Sequence, residues 1–263
     1  VTTTAMQLQA QDIQRFDRVA VYLPKQFETV FSLFGCAMAG AVFVPVNPGL
    51  KAAQVAHILQ DCNVRVLITS KDRLASLEEE LHLCSDLHTV LLTDVAEDMS
   101  PLAHIQLKSF YADVSHRTLQ LYPHATDQDM AAILYTSGST GKPKGVVRDN
   151  GGHAVALNYS MQAVYNAKPG DVFWAASDVG WVVGHSYIVY APLIAGCTSV
   201  LYEGKPVFTP DAGAFWRVCA EYKVNVLFAA PTAFRAIRKE DPDAALQRYD
   251  LSALRAVFVA GER

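Results

Sequence analysis

Short apolar runs alternate with amphipathic stretches along most of the chain. The runs at 18–24 and 41–46 are apolar almost throughout, and a stretch with helical spacing follows each of them. Val55, Ile58 and Leu59 show that spacing, because they fall on one face of a helix. Strands that are apolar on both faces are typical of a parallel sheet covered by helices. The pattern therefore predicts an α/β fold with doubly wound, mostly parallel sheets.

The predicted elements form two groups on either side of a polar stretch. The first group, within 1–93, has strands at 18–24, 41–46, 64–70 and 87–94 and helices at 26–40, 52–62 and 72–84. The second group, within 130–263, has strands at 130–137, 171–177, 197–204, 224–231 and 254–261 and helices at 151–165, 184–196, 211–223 and 232–240. Residues 94–129 are polar and contain Pro101 and Pro123, which predicts an irregular surface connection.

Composition indicates a globular protein with little reason to bind nucleic acid or membranes. The chain has 263 residues, of which 51% are hydrophobic and 18% charged, and its formal net charge is -4. A disordered chain has far less apolar material, and nucleic acids and anionic lipids attract basic proteins. The cysteines form no C-x-x-C pair and are odd in number: Cys36, Cys62, Cys84, Cys197 and Cys219. They are interpreted as reduced core thiols of a cytoplasmic protein, or of a mitochondrial matrix protein if the source is eukaryotic.

The chain ends and one apolar stretch need separate interpretation. Residues 1–16 lack the basic start and apolar core of a signal peptide, and the first predicted element is a strand. Both ends look cut, so a piece of a longer protein is expected. Residues 30–46 carry no charge and approach the length of a membrane span, about 18–20 residues. The favoured interpretation is a buried helix that ends near Gly40, followed by a strand that ends at Pro45.

The stretch "YTSGSTGKPKGVV", from Tyr135 to Val147, combines glycines, hydroxyls and lysines directly after a predicted strand. Glycines let backbone N–H groups point at an anion, while hydroxyls and lysines add donors and positive charge. The candidate phosphate-binding residues are Thr136, Ser137, Gly138, Ser139, Thr140, Gly141, Lys142, Lys144 and Gly145. A surface hairpin of small polar residues is the alternative.

Neither common nucleotide loop matches this stretch. A Walker A loop needs Gly, four residues and then Gly-Lys-Ser/Thr, but Thr136 lies five positions before Gly141 and Pro143 follows Lys142. Pro143 also opposes a helix that starts at the lysine. A dinucleotide loop needs G-x-G-x-x-G, which is absent here.

The stretch resembles the phosphate-loop signature of the acyl-adenylate-forming (AMP-binding) superfamily, with its glycines and both lysines in place. Residues 135–263 resemble short-chain acyl-CoA synthetases, and propionyl-CoA synthetases more than acetyl-CoA synthetases. Residues 1–130 look more like a general acyl-CoA or fatty-acid ligase, since "VPVNPGL" at 44–50 stands where the short-chain enzymes have a "VFGGF"-like stretch. A chimera and a natural sequence of mixed character both explain this difference.

The resemblance implies ATP-dependent activation of a short-chain carboxylate to acyl-AMP and then to acyl-CoA. The loop would hold the β- and γ-phosphates of ATP, and Mg²⁺ would arrive with the nucleotide. Gly261, Glu262 and Arg263 would line the adenine pocket, although a solvated chain end is the plain alternative. The implied partners are thus a small carboxylate, ATP and CoA.

The resemblance also places an acyl pocket at Trp181, Val182, Val183 and Ala260. Acetyl-CoA synthetases tend to carry threonine at the position of Val183 and valine at that of Ala260. The smaller Ala260 leaves room for about one more methylene, which favours propionate over acetate by only about 1–3 kcal/mol. From periodicity alone, an ordinary core is the better interpretation of these apolar residues.

No complete catalytic set is expected within these residues. His185 is interpreted as a hydrogen-bonded core residue, because a carboxylate is already ionised at neutral pH and needs no base. The histidines show no metal-ligand spacing, so no structural metal is predicted. The family's C-terminal domain and its catalytic lysine are absent, so this chain alone is expected to be inactive. The alternatives are a ligase for medium- or long-chain acids, a non-catalytic nucleotide-binding module, and a generic NTPase.

Overall fold

The computed structural model describes four stretches of the chain, residues 1–121, 125–136, 143–244 and 248–261. The chain divides into two compact units, residues 1–153 and 154–263. Each unit is built around its own sheet, and most neighbouring strands run parallel. The predicted α/β class with mostly parallel sheets is therefore confirmed.

The first unit contains an eight-stranded sheet. Its strands are β1 (Arg18–Tyr22), β2 (Val42–Pro45), β3 (Val64–Thr69), β4 (Thr89–Leu92), β5 (Met99–Leu102), β6 (Ile105–Ser109), β7 (Met130–Thr136) and β8 (Lys144–Asp149). Its helices are α1 (Thr2–Gln9), α2 (Phe27–Met38), α3 (Ala52–Asp61), α4 (Lys71–Ala75) and α5 (Glu78–Leu81). The strand order is β5-β6-β4-β3-β1-β2-β7-β8. The pairs β5/β6 and β7/β8 are antiparallel, and the other neighbours are parallel.

Burial explains why the central strands are apolar throughout. Val19, Ala20 and Val21 of β1 are all at most 2% exposed, so both faces of the strand are covered. Helix α3 buries its predicted apolar face, which includes Val55 and Ile58, against the same core. The central strands are apolar at every position because both of their faces are buried, whereas helix α3 is apolar mainly on the face that packs against the core.

Three features of the first unit differ from the sequence analysis. Strands β5 and β6 lie within residues 94–129, which were expected to be irregular. Helix α1 precedes the first strand, and it buries the polar Thr4 and Gln7 beside apolar residues, which hides its periodicity. Strands β7 and β8 join the sheet of the first unit, whereas the sequence pattern predicts that residues from 130 onward belong to the second.

Two other sequence interpretations agree with the structure. Residues 30–46 separate into the end of α2 at Met38 and strand β2. Within the described ranges, no helix is long and apolar enough to cross a membrane. All five cysteines are free and buried. Burial raises the pKa of the Cys84 thiol to about 11 and that of Cys219 to about 12, so both stay protonated at neutral pH.

The second unit contains a four-stranded, all-parallel sheet in the order β10-β9-β11-β12. Helix α6 (Asn150–Ala163) leads from the first unit into this one. The elements that follow are β9 (Val172–Ala176), α7 (Val182–Gly184), a π-helical segment (His185–Tyr190), α8 (Ala191–Ile194), β10 (Thr198–Ser199), α9 (Ala214–Glu221), β11 (Val226–Ala229), α10 (Pro231–Glu240) and β12 (Ala256–Val259). The helix predicted at 184–196 is therefore interrupted by a π-helical turn, and the strand predicted at 197–204 is only two residues long.

A bidentate ion pair joins the amino ends of β9 and β12 across β11. The Arg255 guanidinium donates to both carboxylate oxygens of Asp171 and also to the backbone carbonyl of Asn166. The Asp171 side chain is only 13% exposed and Arg255 is 36% exposed. The hydrogen bond from Arg255 lowers the pKa of Asp171 below its ordinary value, more than burial raises it. The pair thus links strands that do not contact each other directly.

Because the Asp171 pKa is depressed in the folded state, its stabilising effect is present above the unfolded pKa of about 4. It is lost as the pH falls through the lower folded pKa. We therefore expect Asp171→Asn to lower the free energy of unfolding by about 1–2 kcal/mol at pH 7 and to have little effect below the folded pKa. Urea titrations between pH 7 and pH 2 measure this. In an Arg255→Gln background the same substitution should change little, and an unaltered pH dependence in Asp171→Asn would contradict the assignment.

Candidate functional site

The candidate phosphate loop connects the two strands of a hairpin at one end of the large sheet. Thr136 is the last residue of β7, and Lys144 is the first residue of β8. They face each other across the antiparallel pair, followed by Tyr135 opposite Gly145. The intervening residues Ser137–Lys142 lie outside the described residues, so their predicted phosphate contacts stay predictions. Strand β7 confirms the predicted strand before the loop, whereas β8 was not expected.

The hairpin places the described loop residues where an anion can reach them. Thr136 and Lys144 are both exposed. Because β7 runs parallel to β2, Thr136 emerges at the carboxyl edge of the sheet. Ligands of parallel α/β sheets bind at this edge. A hydroxyl and an ammonium group are therefore available at the usual binding edge.

Gly145 has a packing role in addition to its predicted phosphate role. A Cβ atom at this position would lie 2.9 Å from Cγ2 of Ile133 and 3.3 Å from Cζ of Tyr135. The Tyr135 ring occupies the space above the glycine, directly across the hairpin. Any larger residue at position 145 would therefore have to displace a side chain that borders the loop.

The candidate acyl residues follow β9 in a tightly folded segment of the second unit. The Asp178 carboxylate accepts a hydrogen bond from the Gly180 N–H at 3.0 Å, and the Asp178 carbonyl accepts one from the Trp181 N–H at 3.0 Å. Trp181 is 51% exposed and Val182 is 40% exposed, while Val183 is partly buried. These side chains are therefore not ordinary core, and two of them offer apolar surface.

Gly184 closes this segment against the preceding turn. A Cβ atom there would lie only 1.7 Å from the carbonyl oxygen of Asp178. The Gly184 N–H also donates to the Trp181 carbonyl at 2.9 Å. Sequence reasoning assigned no role to Asp178 or Gly184, although the Asp-x-Gly spacing of 178–180 is typical of a turn. Both residues determine the backbone path of the acyl segment.

His185 begins the π-helical segment and is completely buried. Its Nδ1 atom lies 3.0 Å from the carbonyl oxygen of Trp181. Because a carbonyl oxygen only accepts, Nδ1 carries the hydrogen in this contact. A fully buried, hydrogen-bonded imidazole fits the predicted core role rather than that of a solvent-accessible base.

The candidate adenine residues begin immediately after β12. Ala260 is exposed, and Gly261 has φ +106, a backbone conformation that residues with a side chain rarely adopt. Glu262 and Arg263 lie outside the described residues. Strands β9 and β12 are both parallel neighbours of β11, so Trp181–Val183 and Ala260–Gly261 follow strands that end at one edge. Because β11 lies between them, β9 and β12 are two strand spacings apart at that edge, roughly 10 Å.

A second polar region lies at the opposite edge of the large sheet. A cavity there is lined by residues near the amino ends of β3, β4 and β6, including Arg65, His88 and Gln106, and by Lys108 further along β6. Burial and, to a smaller extent, Arg65 lower the pKa of His88. Within the described part of the chain, no group of three or more His, Cys, Asp or Glu side chains is placed to hold a metal ion.

Comparisons with known proteins agree with the signature at 135–147. The family model described as AMP-binding enzyme matches residues 1–263. The acyl-CoA synthetase short-chain family member 3, mitochondrial, of Bos taurus is 41% identical over 95% of this chain and 38% of its own length. The propionate–CoA ligase of Escherichia coli is 40% identical over 100% of this chain and 43% of its own. The acetyl-coenzyme A synthetase of Rhodobacter capsulatus is 39% identical over 100% of this chain and 41% of its own length.

A solved structure extends the comparison to the fold. The anthranilate CoA ligase AuaEII, crystallised with anthranoyl-AMP, aligns with a TM-score of 0.87 and 22% sequence identity. The alignment covers 99% of this chain and 48% of that chain. The chain thus spans less than half the length of the proteins that it matches here, and the matches cover both of its halves.

Proposed function

Because this chain belongs to the AMP-binding enzyme family, we propose that the complete protein activates a short-chain carboxylate, propionate in preference to acetate, to its CoA thioester. ATP and CoA are the co-substrates, and Mg²⁺ accompanies ATP. The observation that carries the proposal is the second unit's carboxyl edge. There, exposed apolar side chains follow β9 and the small Ala260 follows β12.

The reaction has two steps. A carboxylate oxygen attacks the α-phosphorus of ATP, the bond from that phosphorus to the oxygen bridging to the β-phosphate breaks, and pyrophosphate leaves. The CoA sulfur then attacks the acyl carbon, gives up its proton to solvent, and AMP leaves with the bonding electron pair. Neither step needs a nucleophilic side chain, so the protein contributes position and charge.

The phosphate loop serves the first step. Lys144 would place positive charge beside the departing pyrophosphate, and the Thr136 hydroxyl would donate to a phosphate oxygen. The exposure of both side chains at the carboxyl edge supports this assignment. The same role is proposed for Ser137–Lys142. Gly261, Glu262 and Arg263 are proposed to contact adenine.

The acyl pocket serves substrate selection. Trp181, Val182 and Val183 would surround a short alkyl chain, and an apolar lining suits an acid without polar groups. Ala260 would leave the room that distinguishes propionate from acetate. Relatives named for propionate and for acetate are about equally similar to this chain, at 40% and 39% identity. The preference therefore rests on the size of these side chains.

Carboxylate-dependent exchange of pyrophosphate into ATP, measured on the full-length natural protein, tests the proposal. We expect kcat/KM for propionate to exceed that for acetate by about tenfold or more, and octanoate to be a poor substrate. Octanoate as the best substrate would favour a longer-chain ligase. ATP hydrolysis that needs no carboxylic acid would indicate an NTPase, and absence of turnover would favour a nucleotide-binding module.

Ala260→Val is expected to reverse the acid preference. The added methyl groups fill the space for the third carbon of propionate, so the propionate-to-acetate ratio of kcat/KM should fall about 10- to 200-fold. Measuring both acids in the same preparation makes the ratio independent of the active fraction. Ala156→Val makes the same chemical change at an exposed position of α6 and should leave the ratio unaltered. A ratio unchanged by Ala260→Val would remove Ala260 from the pocket.

A further inference from the structure

Helix α3 contacts both sides of the candidate phosphate loop. On the outgoing side, the Tyr135 hydroxyl donates to the Asp61 carboxylate, and the Cys62 thiol donates to the Tyr135 oxygen at 3.4 Å. On the returning side, His57 Nε2 lies 3.3 Å from the Pro143 carbonyl oxygen. That oxygen only accepts, so Nε2 carries the hydrogen. Tyr135 and Pro143 each immediately precede an exposed loop residue that we assign to phosphate binding.

The two anchoring side chains of α3 lie on one face of the helix. His57 and Asp61 are four residues apart, which places them one above the other. Val55 and Ile58 of the same helix are at most 1% exposed and pack into the core of the first unit. The core thus holds the helix, and the helix presents a hydrogen-bond donor and an acceptor to the hairpin.

The Tyr135 ring is held on two further sides. The His57 ring meets it edge to face, with centroids 6.3 Å apart and an interplanar angle of 85°. Across the hairpin, the ring occupies the space that a side chain at Gly145 would need. Burial, and then the hydrogen bond with Asp61, raise the pKa of Tyr135. The hydroxyl therefore remains a donor throughout the physiological pH range.

We propose that Tyr135, His57 and Asp61 are positioning residues that hold both ends of the phosphate loop against α3. This inference rests on the proposed function. Holding Tyr135 and Pro143 fixes the positions of the exposed residues beside them, Thr136 and Lys144, so these two donors need little reorganisation when phosphate binds. Loosening either end displaces Thr136 or Lys144 from the phosphate oxygens that we assign to them, and small displacements in a reacting site cost up to about 10²-fold in rate.

The test measures ATP binding by calorimetry and pyrophosphate exchange kinetics on the full-length natural protein. Tyr135→Phe keeps the ring over Gly145 and removes only the hydroxyl. We expect kcat/KM for ATP to fall about ten- to a hundredfold and the dissociation constant of ATP to rise, while KM for the carboxylate and the unfolding midpoint stay unchanged. Tyr159→Phe makes the same change at a tyrosine that is 69% exposed, and it should behave as wild type.

Matched variants on α3 separate hydrogen bonding from packing. Asp61→Asn keeps an acceptor for the Tyr135 hydroxyl and should retain most activity, whereas Asp61→Ala should reproduce Tyr135→Phe. The double variant of Tyr135→Phe with Asp61→Ala should be no worse than either alone, because one contact is lost in all three. His57→Gln, which keeps a donor for the Pro143 carbonyl, should exceed His57→Ala in kcat/KM for ATP.

The outcomes distinguish this inference from the proposed function. If the wild-type protein neither binds ATP nor exchanges pyrophosphate, the proposed function fails and the inference with it. If the wild type does both and Tyr135→Phe matches it, only the positioning role is overturned. A lower unfolding midpoint with unchanged ATP parameters would also overturn it, because the contacts would then be merely structural.

Discussion

Gly184→Ala is expected to destabilise the second unit by about 3 kcal/mol or more, beyond the usual cost of an added methyl group in a packed site. The new Cβ would lie 1.7 Å from the Asp178 carbonyl oxygen, and a backbone atom cannot move aside as a flexible side chain can. The turn at Asp178 and the acyl segment would therefore have to separate. Because we propose that Trp181–Val183 line the acyl pocket, we also expect the variant of the full-length protein to lose the proposed selectivity between acids.

Tryptophan fluorescence is a suitable measure of this effect. All three tryptophans, Trp174, Trp181 and Trp216, belong to the second unit, so a urea titration followed by fluorescence reports on that unit. Val155→Ala shortens a side chain that is 70% exposed and should leave the titration close to wild type. A Gly184→Ala protein that unfolds at the wild-type urea concentration would show that the close approach is unnecessary.

Trp174→Ala is expected to cost about 3–5 kcal/mol, which is typical when a large buried aromatic is truncated. Trp174 is 0% exposed, and its ring centroid lies 4.8 Å from that of Phe215 and 5.4 Å from that of Tyr202. The methyl side chain of alanine is too small to make these ring contacts, so a cavity remains in the core of the second unit. Circular dichroism during urea titration measures the loss without depending on the deleted fluorophore.

Trp174→Phe and Trp181→Ala are the matched controls. The indole Nε1 of Trp174 is buried without a hydrogen-bond partner among the described residues, so phenylalanine loses no hydrogen bond there. We expect this variant to cost less than half as much as Trp174→Ala. Trp181 is 51% exposed, so its truncation should have little effect on stability. Equal losses for Trp174→Ala and Trp181→Ala would contradict the assignment of Trp174 to the core.

The sequence predicted the fold correctly where strands are buried on both faces. Strands such as β1 and β3 lie between covered faces, so continuous apolar runs identified them. Strand β6 escaped prediction because only Ile105 and Leu107 alternate with polar residues, in a stretch that also contains Pro101. That short alternation was the available signal, and the surrounding polar composition obscured it.

Sequence alone could predict only those parts of the candidate site that belong to a local sequence pattern. Thr136 and Lys144 belong to a local signature, so the sequence predicts them as site residues without knowledge of the fold, and their phosphate contacts stay a prediction. The contacts of His57 and Asp61 with the hairpin join residues far apart in the chain, and a single sequence carries no signal for such pairs. The role of Gly184 likewise depends on an approach of two backbone segments, which appears only in three dimensions.

The strand order of the first unit has a consequence for how the protein folds. Strand β1 pairs with β2 and β3, the next two strands in sequence, whereas β7 joins β2 through Phe43 and Ala132, about 90 residues apart. Contacts between distant residues form late, because a long chain segment must be ordered before they contribute. We expect the hairpin to dock after the central strands have assembled. The proposed nucleotide affinity would then be among the last properties acquired during folding, and its appearance would mark completion of the first unit.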